Sequence, residues 1–220
     1  MGELRQALED TISGQGRLVL LMGEPGIGKT RTTQELAKHA TALGVLSTWG
    51  RCYDGEGAPP YWPWIQLLRA FLQQTEPDRL AGQMGPGAAD IGEILPEVRE
   101  KLPDIGSPPS LELEQARFRL FDSVARFFRN VAQSQPLMLT LDDLHWADRP
   151  SLMLLEFLSQ ELTQSPVLIV GAYRHIEVTR GDPLSETLGK ILRQPSFRRI
   201  VLQGLSQPEV GELLTLAAGV

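Results

Sequence analysis

The chain has 220 residues, a length typical of one large domain, and 42% of them are hydrophobic and 22% charged. These values exclude a mainly disordered chain, and a single cysteine, Cys52, excludes a scaffold held together by disulfides. No apolar run reaches the length of a membrane-spanning helix, and the N-terminus lacks the apolar core of a signal peptide, so we expect a cytoplasmic protein. The net charge of −6 disfavours direct contact with nucleic acid, which requires a basic surface.

Short apolar segments alternate with helical patterns along the chain. Unbroken apolar runs followed by glycine or aspartate are typical of strands buried on both faces of a parallel sheet. The predicted strands are residues 18–22, 45–52, 137–141, 167–172 and 197–202. Helical spacing predicts helices at residues 29–43, after Pro63, at 113–131 and at 151–162, with loops and short helices at 76–110. The alternation predicts an α/β fold with a five-stranded parallel sheet flanked by helices.

The first predicted strand is followed by a phosphate-loop motif. Residues 23–30 match the pattern G-x-x-x-x-G-K-[ST] and lead directly into a predicted helix. Glycines allow the backbone N–H groups to converge on phosphate, the lysine pairs with the terminal phosphates, and the threonine hydroxyl ligates Mg²⁺. Because only four lysines occur in the chain, the lysine in this motif is informative. The predicted nucleotide-binding residues are Gly23, Glu24, Pro25, Gly26, Ile27, Gly28, Lys29, Thr30 and Arg31.

Two acidic residues follow the third predicted strand. Asp142 is placed to complete Mg²⁺ coordination with Thr30, mostly through bound water. Asp143 follows at once and is predicted to act as general base or to position the attacking water. Arg174 follows the fourth strand at the edge where ligands of parallel sheets bind, and we expect it to sense the γ-phosphate. The sequence therefore predicts catalytic roles for Lys29, Asp143 and Arg174.

Other notable residues have ordinary interpretations. The three histidines are scattered without metal-ligand spacing, and His145 and Trp146 are expected to pack or to cap the next helix. Residues 59–63, Pro-Pro-Tyr-Trp-Pro, are expected to fix the start of a helix, although a partner with an aromatic groove is an alternative. Cys52 has no neighbouring feature that indicates a reactive thiol.

These motifs together resemble the AAA-type ATPase module of the STAND class, the signal-transduction ATPases with numerous domains. The resemblance covers nearly the whole chain and rests on residues 23–30 (GEPGIGKT), 60–64 (PYWPW), 142–148 (DDLHWAD) and 171–174 (GAYR), in that order. Such modules occur in large LuxR-type transcriptional activators and beside bacterial nucleotide cyclase and kinase domains. The phosphate loop is shared by many families, whereas the run at 142–148 with the later Tyr-Arg is much more specific.

The resemblance implies an ATP-driven switch, in which ATP holds an open, oligomerising state and slow hydrolysis resets it. It implies that Lys29 and Thr30 bind phosphate and Mg²⁺, and that Asp142 is the Walker B acid. By the same resemblance, Asp143 is the catalytic acid and Arg174 the sensor arginine. Asp148 matches the family's Ala-Asp-x-x-Ser pattern, without a role that the sequence defines.

The chain departs from the family pattern at both ends. Family members carry a Gly-Arg-Glu segment before the first helix, whereas this chain begins at Met1 inside that helix. The family continues into a helical lid and a winged helix, of which residues 204–220 resemble only the first lid helix, opened by a capping box of Ser206 and Glu209. We therefore expect an ATPase core of additional-strand type at residues 1–203 and an incomplete, truncated lid at 204–220.

Two alternatives remain open from the sequence. A protein-interaction module that binds nucleotide without hydrolysing it would carry the same phosphate loop. A GTPase is disfavoured because the Asn/Thr-Lys-x-Asp element that selects guanine does not occur. The expected partners are ATP, fused or separate signalling domains and a nucleotide-dependent homo-oligomer, with neither nucleic acid nor membrane as a direct partner.

Overall fold

The computed structural model describes residues 1–55, 57–178 and 181–204. Its strands form one fully parallel sheet in the order β2-β3-β4-β1-β5. The strands are β1 (Arg17–Gly23), β2 (Leu46–Arg51), β3 (Leu137–Asp142), β4 (Val167–Arg174) and β5 (Phe197–Val201). The predicted five-stranded α/β fold is confirmed. The additional strand is β4, which separates the phosphate-loop strand β1 from β3, the strand that ends in Asp142.

Helices cover both faces of this sheet. Within the described residues they are α1 (Gly2–Ile12), α2 (Lys29–Ala42), α3 (Trp62–Gln74), α4 (Pro77–Met84), α5 (Ala88–Ile94), α6 (Glu97–Lys101), α7 (Leu113–Ala132), α8 (Arg149–Glu161) and α9 (Pro183–Ile191). No helix in this part of the chain has both the length and the apolar character needed to cross a bilayer.

Alternate residues of each strand contribute to two separate cores, because successive side chains point to opposite faces. On one face, α1 and α2 pack against the sheet. The buried side chains of this core include Leu4, Leu8, Val19, Leu21, Leu36, Met138, Leu168 and Val170. On the other face, a larger core joins the sheet to α3, α7, α8 and α9. Aromatic side chains of α3 and α7 meet edge to face in that core, including Phe71 against Phe127 at 5.7 Å between ring centroids.

The helical predictions agree with the structure within a few residues. The glycine expected to end α2 has a left-handed backbone, Gly44 at φ 80°. The predicted loops and short helices of residues 76–110 are α4, α5, α6 and a 3₁₀ turn at Gly85–Gly87. One helix was missed, α9, although Asp182 before Pro183 is an N-terminal signal and its side chain accepts from the N–H of Leu184. The capping box at Ser206 and the expected lid lie outside the described residues.

Parallel pairing brings the ends of four strands to one edge of the sheet. The register aligns Gly23 of β1 with Arg174 of β4, and Arg51 of β2 with Asp142 of β3. In an open parallel sheet, ligands bind beyond the carboxyl ends of the strands. The sheet therefore places the sequence-predicted phosphate loop, acidic pair and arginine side by side.

Candidate functional site

The loop between β1 and α2 is shaped by left-handed glycines. Gly26 and Gly28 have φ values of 75° and 102°, which are unfavourable for residues with a Cβ. Gly23 has its own constraint, because a Cβ there would lie 2.8 Å from Cγ2 of Ile27. The loop opens onto the first turn of α2, where the N–H groups have no acceptor within the helix. The loop thus presents backbone donors and the positive end of a helix dipole, an arrangement suited to an anion.

The ammonium group of Lys29 folds back across this loop. Its Nζ donates to the carbonyl oxygens of Gly23 at 3.0 Å and Glu24 at 2.8 Å, and the residue is only 7% exposed. Burial and, secondarily, the positive charge of Arg174 lower the pKa of Lys29, while nearby carboxylates oppose that shift. A buried cation with replaceable carbonyl partners favours binding of a multiply charged anion at this position.

The next residue of α2 connects to the end of β3. Oγ1 of Thr30 donates to Oδ2 of Asp142 at 3.1 Å, although the two residues are 112 positions apart in sequence. Burial and then the charge of Asp143 raise the pKa of Asp142, while its hydrogen bonds oppose the change. A hydroxyl and a carboxylate oxygen are hard ligands of the type that Mg²⁺ prefers. The residues present therefore fit a phosphate-bound Mg²⁺.

Asp143 is one of two described residues other than glycine with positive φ. Its φ of 57° and ψ of 42° are left-handed values that aspartate tolerates better than most residues. Asp143 leads into a 3₁₀ turn at Leu144–Trp146. Its side chain is 10% exposed and faces the end of β2. There Nε of Arg51 donates to Oδ2 of Asp143 at 2.9 Å, and Nη2 lies 2.8 Å from the same oxygen.

The backbone of Arg51 is in turn fixed by α3. The side-chain amide of Gln66 accepts from the N–H of Arg51 at 3.3 Å and donates to its carbonyl oxygen at 2.8 Å. Gln66 therefore pairs with an exposed edge strand as a neighbouring strand would. The contact links the position of α3 to the arginine that holds Asp143.

Arg174 ends β4 beside the phosphate loop. Its Nη1 donates to Oε1 of Glu177 at 2.8 Å, and its guanidinium carbon lies 4.9 Å from the ring centroid of Trp146. These contacts hold the arginine at the edge of the site by an ion pair and a cation–π interaction. Its role as a γ-phosphate sensor stays a prediction.

The geometry gathers Lys29, Thr30, Asp142, Asp143 and Arg174 around one loop, as expected for a nucleotide-hydrolysing domain. Comparison with protein families is decisive: the model of the AAA ATPase domain matches residues 1–170. This chain belongs to the AAA ATPase domain family. The expected AAA-type module is thereby confirmed, and it is the family that the sequence motifs indicated.

Other comparisons found similarity to proteins that are longer than this chain. An uncharacterised protein of Rhizobium meliloti (strain 1021) is 24% identical over 187 residues, which cover 79% of this chain and 18% of that protein. The chain therefore spans less than one fifth of the curated relative it matches.

Two of the similar solved structures also contain much longer chains. One is a STAND protein with a tetratricopeptide repeat sensor from Pyrococcus horikoshii, with 16% identity and a TM-score of 0.49, covering 98% of this chain and 25% of that chain. Another is a chain of the HORMA:CdnC:Trip13 complex of E. coli MS115-1, with 10% identity and a TM-score of 0.46, covering 98% and 60%.

Asp148, whose role the sequence did not define, fixes the start of α8 in the ATPase domain. Its Oδ1 accepts from the N–H of Ser151 at 2.9 Å, and its Oδ2 accepts from the hydroxyl of Ser151 at 2.6 Å. Oδ1 also accepts from the N–H of Tyr61 at 3.3 Å, where the backbone is left-handed with φ 66°. Of the two roles expected for His145 and Trp146, packing or capping, the structure shows packing, with the two rings in contact. The cap is provided by Asp148, which also fixes the start of α3.

Sequence reasoning did not anticipate three residues of the site. Arg51 binds the carboxylate of Asp143, Gln66 binds the backbone of Arg51, and Glu177 binds the guanidinium of Arg174. A signal existed for Arg51, since it follows a predicted strand whose end must reach the same sheet edge. Gln66 lies in a helix and Glu177 in a 3₁₀ turn, and neither residue belongs to a motif.

Arg31 and Cys52 do not join the cluster of polar side chains around the loop. Arg31 was predicted to bind nucleotide. Its Nη2 lies 2.9 Å from Oε1 of Glu35, on the exposed side of α2. Any contact of Arg31 with nucleotide stays a prediction. Cys52 is buried, and burial raises the pKa of its thiol far above the ordinary range, in keeping with the absence of reactive features in the sequence.

Proposed function

We propose that this AAA ATPase domain binds ATP with Mg²⁺ and hydrolyses it slowly, as the switch module of a STAND-class signalling or transcription-regulatory protein. The observation that carries the proposal is the hydrogen bond between Thr30 and Asp142, which joins the phosphate loop to the end of β3. Two oxygen ligands on separate elements lie together beside Lys29, and this combination suits phosphate and a divalent cation.

Each side chain of the site has a defined task in this proposal. Lys29 exchanges its carbonyl partners for phosphate oxygens and neutralises their charge. Thr30 and Asp142 hold Mg²⁺, which when bound supplies further neutralisation of the phosphates. Asp143 orients the attacking water and accepts its proton, and Arg174 contacts the γ-phosphate.

The contact between Arg51 and Asp143 supports a slow reaction. Nε and Nη2 of Arg51 both approach the Oδ2 oxygen of Asp143, so that this oxygen is engaged before any water can use it. An enzyme that must first release its catalytic acid turns over less often than one whose acid is free. Slow hydrolysis suits a switch, since the ATP-bound state then persists long enough to signal.

The signalling assignment rests on the specific motif at residues 142–148. We propose fused or partner signalling domains and a nucleotide-dependent homo-oligomer as the context in which the module acts. The match covers only 18% of the Rhizobium relative, which is consistent with such added domains.

Steady-state ATP hydrolysis in the presence of Mg²⁺ tests the proposal. We expect turnover by the wild-type chain, and its loss to the background level in Lys29→Ala. Asp143→Asn should lose turnover while retaining ATP affinity, because the amide keeps the shape of the carboxylate but accepts no proton. Turnover no higher than that of Lys29→Ala would contradict hydrolysis, and bound ATP without turnover would favour the interaction-module alternative.

A further inference from the structure

His145 lies between the sensor arginine and the catalytic acid and has no role in the function proposed above. Its side chain has no exposed surface, at 0%. It packs against Trp146, with the ring centroids 4.5 Å apart. Its Nε2 is a buried polar atom that forms no hydrogen bond with any of the described residues. Such an atom is costly unless a partner is reached in another state of the protein.

The hydrogen bond at the other ring nitrogen defines the tautomer. The backbone N–H of Arg174 donates to Nδ1 of His145 at 3.4 Å, so Nδ1 is the acceptor nitrogen. Burial lowers the pKa of His145, against the opposing influence of Glu177 and then Asp143. A neutral ring with Nδ1 as acceptor carries its proton on Nε2.

That Nε2–H group faces two carboxylates. Nε2 lies 3.2 Å from Oε2 of Glu177 and 3.9 Å from Oδ1 of Asp143. Glu177 is the same residue that binds Arg174 through its other oxygen, Oε1, at 2.8 Å. Arg174, Glu177, His145 and Asp143 are therefore successive neighbours, although neither contact of Nε2 has hydrogen-bond geometry.

The two oxygens of Asp143 are thus approached from different sides. Arg51 engages Oδ2 from the end of β2, whereas Nε2 of His145, in the 3₁₀ turn, lies 3.9 Å from Oδ1. At 3.9 Å this Nε2–H group forms no hydrogen bond with Oδ1, and a closer approach would limit rotation of the carboxylate about its bond to Cβ. The direction of the catalytic carboxylate then depends on where Glu177 and Arg174 hold the ring.

We propose that His145 is a positioning residue that couples the sensor arginine Arg174 to the catalytic acid Asp143. The inference rests on the proposed function and adds the connection between its two sides. Contact of Arg174 with a phosphate changes its hold on Glu177, and the Nε2–H group of His145, unpartnered in this structure, then reaches Oδ1 of Asp143. His145 itself contacts neither nucleotide nor water in the reaction.

Two near-isosteric variants separate the ring nitrogens. His145→Gln places an amide donor where Nε2 lies, and His145→Asn retains only an acceptor near Nδ1. We expect kcat for ATP hydrolysis to fall about tenfold in His145→Asn, the size of one charge-assisted hydrogen bond, with KM nearly unchanged. His145→Gln should retain most of kcat. Urea unfolding of both variants reports whether packing is equally preserved.

A double-mutant cycle tests the coupling itself. Arg174→Ala should lower kcat less in the His145→Asn background than in the wild type, because the connection is already broken. Additive effects, or equal kcat values in His145→Gln and His145→Asn, would overturn the inference. If the wild-type chain hydrolyses ATP and both His145 variants have the same kcat as the wild type, the inference fails while the proposed function stands. If the wild type does not hydrolyse ATP, the proposed hydrolysis and this coupling fail together.

Discussion

Arg51, at the end of the edge strand β2, binds the carboxylate of Asp143 at the end of β3, with Nε at 2.9 Å and Nη2 at 2.8 Å from one oxygen. The guanidinium is 63% exposed, whereas Asp143 is 10% exposed. The ion pair thus joins a solvated cation to a nearly buried acid. Because the arginine is solvated, we expect a contribution near the range of surface ion pairs, about 0.2–1 kcal/mol, little enough to be broken during turnover.

We expect Arg51→Ala to raise the basal rate of ATP hydrolysis by about two- to fivefold, because Oδ2 of Asp143 no longer has to be released. Steady-state turnover at saturating Mg-ATP is the measurement. Arg69→Ala is the matched control, since Arg69 forms a comparable ion pair with Glu97 on α6, away from Asp143. A fall in turnover for Arg51→Ala would mean that the arginine helps the reaction directly.

Asp142→Asn should stabilise the nucleotide-free protein while removing its response to Mg²⁺. Burial and the charge of Asp143 raise the pKa of Asp142 in the folded state, so ionisation at neutral pH opposes folding. That penalty is absent below the unfolded-state pKa, grows as the pH rises from the unfolded-state pKa to the folded-state pKa, and is fully present above it. The asparagine can still bond Thr30 and the N–H of Asp143.

Urea unfolding of Asp142→Asn at several pH values tests this expectation. The variant should unfold at higher urea than the wild type at pH 7, and the difference should shrink towards pH 4, near the ordinary pKa of an aspartate. A difference that is independent of pH would show that ionisation of Asp142 is not its cause.

The meeting of the candidate phosphate-site residues could be predicted from the sequence because the parts of the site are local. Lys29 and Thr30 belong to one contiguous motif, and Asp142 follows an apolar strand that is recognisable by itself. Their meeting follows from a general property of parallel sheets, whose strand ends share one edge. The fold class was predictable for the same reason, since β1 and β4 are short, unbroken apolar runs.

The residues that hold these groups could not be predicted, because their partners are distant in sequence and no motif states which residues meet. Gln66 meets Arg51 only because α3 packs along β2, and Tyr61 meets Asp148 only because α3 starts beside α8. The order of strands decides such contacts, and strand order cannot be read from periodicity. The αL backbone of Asp143 is likewise a tertiary outcome, since local preference alone does not select it.

Asp148→Ala should destabilise the domain by about 1–2 kcal/mol, since it removes the N-terminal cap of α8. It also leaves the N–H of Tyr61 without its acceptor. Asp182→Ala is a suitable control, because Asp182 caps α9 through the N–H of Leu184 without a second element attached. Urea unfolding should give the larger loss for Asp148→Ala; equal losses would mean that the contact with Tyr61 contributes nothing.

Gly50→Ala should cost about 2 kcal/mol or more, because α3 packs against the bare backbone of β2. A Cβ at Gly50 would lie 2.2 Å from the carbonyl oxygen of Pro63, which cannot rotate away as a side chain would. Gly82→Ala in α4 is the control, with open space around the new Cβ and an expected gain of about 0.5–1 kcal/mol in helix propensity. Thermal unfolding of the two variants should shift in opposite directions, and equal shifts would contradict close packing of α3.

Calorimetric titration of the 220-residue chain with Mg-ATP, beside Lys29→Ala, tests most directly whether this site binds nucleotide. Lys29 is the buried cation of the loop, and its ammonium group donates to the carbonyl oxygens of Gly23 and Glu24. We predict saturable binding by the wild type and at least about a tenfold loss of affinity in the variant, as expected for removal of a charge-assisted contact. Equal affinities, or no binding by the wild type, would contradict the assignment of this loop as the ATP site.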